Sequence, residues 1–250
     1  MGQIIDTETA KEFMTETLAK VDADQLVEIS RDLQHKSVAV KSLIDAGLTP
    51  DSLYQLLRLL FSTRRKAKKI LEATDQNRLI HEINILVSES GPVKDRFERF
   101  YNTLDGLDNH VRHDIAGELL HFSNPDKYWL WSYWMWNPKT ETGALSLVTE
   151  EEFKLDGATV GDTYMNVGRA IAFVHEVGEA AGFQTISKSL FGTDVYLACV
   201  YVVYAYTVLR MRMTQEFNKV MPQQIEFVRR ILGVKDMEEI MNLKMAPAVD

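Results

Sequence analysis

The chain has 250 residues, 46% of them hydrophobic and 26% charged, with a formal net charge of −8. A chain of this length can bury a sizeable core without staples, and its single cysteine excludes an intramolecular disulfide, which fits a reducing compartment. The acidic balance argues against nonspecific nucleic-acid binding by the whole molecule and leaves only a local basic face for such a role.

Residues 1–8 lack a basic region followed by an apolar run, so no secretory signal is expected. Asp6 stands where a myristoylation motif needs Ser or Thr. Helical patterns then follow in order. Asp6 or Thr7 can cap a helix over 6–21, Asp22 a second to about residue 34, and 37–46 reads as a short third one ended by Gly47. Thr49, Pro50 and Asp51 give a strong start: a capping hydroxyl, proline at the first helical position and an early acid on the helix dipole. The apolar spacing from Leu53 to Ile70 extends that helix to about residue 73. Segments 77–88, 93–104 and 108–122 are the next predicted helices, broken at Gly91-Pro92, Asp105-Gly106 and Asn124-Pro125.

Residues 128–148 read equally as a buried helix or as a hairpin turning at 137–143, because a short aromatic run has no decisive period. Beyond it, 159–181 is a long helix carrying Gly161, Gly168 and Gly178. Each glycine costs roughly 1 kcal/mol against alanine, which suggests close approach of another backbone. The apolar run 195–209 opens the longest helix, 194–220. It falls short of the ~20 apolar residues a membrane span needs and reads as buried. Pro222 starts a helix over 223–232, and 235–243 forms a short last one. The expected architecture is all-α: a single multi-helix domain over 1–250 with an irregular or β-hairpin insert around 128–148 and a sub-boundary, if any, at 137–156.

All four tryptophans fall between Trp129 and Trp136. With Tyr128 and Tyr133, the side chains of Trp129, Trp131, Trp134 and Trp136 anchor either the core or a partner-binding surface. Six histidines are present. His110, Asp114, Glu118 and His121 share a helix face, and Glu118 with His121 forms one Glu-x-x-His unit, which carboxylate-bridged di-iron bundles use in pairs. The only second unit is the weak Asp32 to His35 substitute. His81, the pair His113-Asp114 and Asp162 or Asp194 resemble the ligand order of HD-type phosphohydrolases, in which a divalent metal activates water. His81, His110, His113, Asp114, Glu118 and His121 are therefore the candidate metal ligands, against the alternative of solvated and packing residues. His175-Glu176 with Glu179 lacks the second histidine of a metalloprotease helix. Cys199 lies in an apolar run and reads as an inert core thiol. Gly-rich phosphate loops, Gly-x-Ser-x-Gly and Cys-x-x-Cys do not occur. The one dense basic cluster, Arg64, Arg65, Lys66, Lys68 and Lys69, is either a solvated face or a nucleic-acid contact.

Leu119-Leu120-His121-Phe122, followed by Pro125-Asp126-Lys127-Tyr128 and Trp131, resembles a short signature in helical regions of Mcr-type restriction and other phage-defence proteins. The resemblance implies a helix ending at a proline corner under an aromatic plug, transfers no catalytic residue, and slightly raises a nucleic-acid or defence role, which the acidic net charge lowers again. Three functions are thus expected in descending order: a non-catalytic, cytoplasmic binding or assembly protein, self-associating or holding a protein partner through aromatic surfaces; a metal-dependent hydrolase or oxidase; and a defence-associated nucleic-acid binder.

Overall fold

The computed structural model describes residues 23–149, 153–180, 182, 189–212 and 223–235. Among them are nine α-helices: α1 (Ala23–Asp45), α2 (Pro50–Leu59), α3 (Ala67–Ala73), α4 (Gln76–Val87), α5 (Val93–Thr103), α6 (Asn109–Ser123), α7 (Val160–Ala180), α8 (Gly192–Arg212) and α9 (Gln224–Ile231). The described residues form no sheet, and no helix among them is long and apolar enough to cross a membrane. The expected helices over 6–21 and 235–243 lie outside the described residues, apart from Lys235 itself, which forms a turn.

Several starts and stops follow the local chemistry. Thr49 and Ser52 form a reciprocal capping box ahead of α2, with Pro50 in the first turn. The Asp75 carboxylate accepts from the amides of Asn77 and Arg78 to open α4. Two expectations fail. The segments 22–34 and 37–46 form one continuous helix, α1, because nothing between them breaks it and the Ser37 hydroxyl donates to the Phe122 carbonyl at 3.0 Å. Conversely, the helix expected over 49–73 stops at Leu59, turns through 60–66 and restarts as α3. The Thr63 hydroxyl donates to the Leu57 carbonyl at 2.6 Å and closes this turn locally, while Glu118 binds its amides from another helix.

Helix α6 is central. Eleven of its 15 residues are buried, and it packs against α1, α4 and α5. A helix covered on most of its circumference can carry polar groups only where each finds a partner. Helices α5 and α7 lie face to face, and α8 packs on α9.

The segment 128–148 is neither helix nor named strand. It is a coil with one isolated antiparallel bridge, Asn137 to Thr142, and a 3-10 turn at Leu145–Leu147. Its aromatic rings point into the core. Trp131 is fully buried, and Tyr128, Trp134 and Trp136 are buried, whereas Trp129 and Tyr133 are half-buried. Three indole N–H groups find acceptors within the fold: Trp129 donates to the Tyr164 carbonyl, Trp131 to the Trp136 carbonyl and Trp136 to the carboxylate of exposed Asp156. Phe97 of α5 stacks on Tyr164 at 4.5 Å and on Trp131 at 5.6 Å. The aromatic plug thus joins α5, α6 and α7, and it offers little surface to a partner.

Glycines make this joint tight. A Cβ on Gly168 would fall 1.7 Å from the Trp129 ring, and one on Gly117 would fall 2.2 Å from the Trp131 carbonyl oxygen. Gly161 faces the Lys94 carbonyl in the same way, at 2.4 Å. G117A and G168A are expected to destabilise the fold by about 1–3 kcal/mol in urea unfolding, despite alanine's better helix propensity, because overpacking outweighs a gain of about 1 kcal/mol. Equal or greater stability in either variant would contradict the close approach.

Candidate functional site

Helix α6 carries four of the sequence-predicted candidates in its buried body, and the fold assigns each a neighbour. Glu118 is 3% exposed. Its carboxylate accepts from the backbone amides of Phe61 at 2.7 Å and Ser62 at 3.0 Å, and from the Lys36 ammonium at 3.1 Å. Lys36 is fully buried; it also donates to the Leu232 carbonyl at 3.2 Å and lies 4.0 Å from the centre of the Phe122 ring. Burial pushes the Lys36 pKa down, against the opposing attraction of Glu118.

His121 sits between two acceptors. Its Nδ1 is 2.8 Å from the Tyr128 carbonyl oxygen and its Nε2 is 3.1 Å from the Asp194 carboxylate of α8. Burial disfavours its charged form, but Asp194 and the carbonyl together outweigh that cost, and the net shift of its pKa is upward. His113 lies flat between two rings, 4.5 Å from Trp131 and 4.3 Å from Tyr133, with Nδ1 3.1 Å from Asp114. Asp114 accepts the Tyr133 amide on Oδ1 at 3.0 Å, while its other oxygen has no hydrogen-bond donor among the described residues. Burial pushes the Asp114 pKa up, and the neighbouring His113 acts in the opposite direction.

His81 is exposed on α4, and His110 is exposed at the start of α6. Asp162 pairs with Lys94. The order His81, His113-Asp114, Asp162 or Asp194 is therefore not assembled at one point, and among the described residues no three His, Cys, Asp or Glu side chains converge on a position for a metal ion. Glu118 and His121 of the Glu-x-x-His unit are separately engaged, by the 60–66 turn and by Asp194. The Cys199 thiol is buried and pushed up to about 12, which leaves it unreactive.

The basic cluster is divided by the turn at 60–66. Arg64 faces inward, donating to the Lys235 carbonyl at 2.7 Å and to the Gly233 carbonyl. Gly233 has φ +70°, the left-handed conformation that ends α9, and Lys36 and Arg64 together serve the carbonyls exposed at that end. Arg65 and Lys66 are exposed, and no carboxylate pairs with either among the described residues. They face a cavity of about 570 Å³ together with Phe61, Ser62 and Arg64. The opposite wall is Phe227, Arg230, Ile231 and Lys235; α6 contributes His110 and Asp114. Arg230 and Lys235 share Glu226, whose carboxyl they hold down at about 2. Lys68 and Lys69 are exposed on α3 and do not line the cavity.

Lys36, Phe61, Phe227, Arg230 and Lys235 escaped the sequence reading. Lys36 had a signal: it occupies the buried stripe of α1 set by Ile29, Leu33 and Val40, where a lysine demands a partner. The other four are joined only by tertiary folding.

The His121–Asp194 pair makes stability depend on pH. A histidine whose folded pKa lies above its unfolded value, about 6.5, stabilises fully below that value and loses the contribution as pH rises through the folded pKa. The stability difference between the wild-type protein and D194N, measured by urea unfolding from pH 5 to pH 9, is expected to be largest at the acidic end and to shrink as pH rises. A difference that is constant across this range would show that His121 is not held charged. Comparisons with models of known protein families, with curated proteins and with solved structures find no match, so the reading of this site stands on its own geometry.

Proposed function

We propose that this chain is a non-catalytic helical binding protein whose ligand is an anion held in the cavity between the 60–66 turn and α9. One observation carries the reading: Arg65 and Lys66 stand at the cavity without acidic partners among the described residues, on a turn whose amides are pinned by buried Glu118. Cations on a pre-ordered backbone bind an anion without the further cost of ordering a loop. Arg64, Arg230 and Lys235 add positive charge around them. The overall charge of −8 makes this a local feature and favours a small anion over a long polyanion. The metal-dependent alternative lacks comparable support, since its proposed donors do not converge among the described residues.

Calorimetry with inorganic pyrophosphate tests the reading. The R65E/K66E variant alters two exposed side chains, so the fold is expected to hold within about 0.5 kcal/mol. Its pyrophosphate affinity is expected to fall at least about tenfold, since a hydrogen bond to a charged group contributes about 1.5–3 kcal/mol. Wild-type binding should also weaken with added salt. Unchanged affinity in the variant, or no binding by the wild-type protein, would overturn the proposal.

A further inference from the structure

The cavity holds more than an anion requires. Phe61 is 41% exposed, a large ring left in water next to Arg65 on a turn whose position is set from below by Glu118. Phe227 presents a half-buried second ring from α9, braced at 6.0 Å against Tyr206. Asp114 reaches the same space from α6, with one carboxylate oxygen committed to Tyr133 and the other without a donor among the described residues. A carboxylate repels a bare anion, so it suits a ligand that also brings N–H donors.

Resting on the anion-binding reading, we propose that the ligand is a nucleoside phosphate with an amino-bearing base: Arg65 and Lys66 take the phosphate, Phe61 and Phe227 offer ring faces to the base, and Asp114 accepts a base N–H. The cavity of about 570 Å³ falls within the range of small-molecule sites, about 300–1,000 Å³. Phosphate, flat aromatic face and N–H donors occur together in nucleotides, and each has a matching group here. Sugar phosphates lack the face, and inorganic anions lack both the face and the donors.

Calorimetry on the full chain with AMP, GMP, CMP, ribose 5-phosphate and inorganic pyrophosphate tests this. At least one nucleotide is expected to bind about tenfold more tightly than ribose 5-phosphate, near the lower end of what stacking one base on an aromatic ring contributes. In F61A, which keeps the Cβ packed near Gly233, that advantage is expected to disappear. Equal affinities for the nucleotides and ribose 5-phosphate would overturn the nucleotide assignment while leaving the anion site intact. An advantage that persists in F61A would also overturn it. Failure of every compound to bind, pyrophosphate included, would remove both readings. A single-stranded oligonucleotide binding more than about a hundredfold tighter than any mononucleotide would make a nucleic-acid strand the ligand and overturn the proposal.

Discussion

Lys36 and Glu118 meet at 3.1 Å with almost no access to water, and three parts of the chain hang on that meeting. Glu118 projects from the central helix and takes two backbone amides of the 60–66 turn. Lys36 projects from the long helix over 23–45 and donates to a carbonyl at the end of the helix over 224–231. A buried ion pair adds little net stability compared with an apolar filling, but removing one partner strands a charge and costs about 3–5 kcal/mol. Its consequence in this protein is geometric. Glu118 takes the amides at the point where the helix expected over 49–73 breaks, and beyond that break Phe61, Arg65 and Lys66 line the cavity.

The polar groups of the central helix follow one logic. Glu118, His121 and Asp114 each accept or give a bond that fixes a neighbouring irregular segment: the 60–66 turn, the Tyr128 corner and the Tyr133 backbone. A helix buried on most sides therefore serves as a scaffold for coil. The same carboxylates and imidazoles looked like metal ligands in the sequence, because spacings of three and four place such groups on one face whether they serve a metal or a backbone amide. Only tertiary partners separate the two uses. Asp114 differs in having an oxygen left over at the cavity.

The all-α architecture was legible because capping residues, prolines and apolar periods agree along most of the chain. The Thr49-Pro50 start and the Asn124-Pro125 stop stand where their chemistry places them. The close approach at Gly161 and Gly168 was legible as well, since glycine within a helix needs a steric reason. The break after Leu59 was not legible, because the carboxylate that takes its amides sits 56 and 57 residues away in sequence. The aromatic segment resisted assignment for a related reason. It is held by indole N–H bonds and ring stacking to distant helices and has no backbone period to read. Of the site, the sequence exposed Arg64, Arg65 and Lys66 as a cluster, together with His110 and Asp114 as candidates of another kind. The second wall on the 224–235 segment comes together with them only in the fold.

The pinning of the 60–66 turn by Glu118 is the claim on which the binding site stands, and hydrogen exchange at the Phe61 and Ser62 amides tests it most directly. Amides of a surface turn exchange quickly unless an acceptor holds them, whereas amides tied to the core open only with larger units of structure. Slow exchange is expected at both positions in the wild-type protein and fast exchange in E118Q, whose neutral amide can accept fewer N–H groups, while the core of the α-helices stays protected. Fast exchange at both amides in the wild-type protein, or protection unchanged in E118Q, would contradict the pinning.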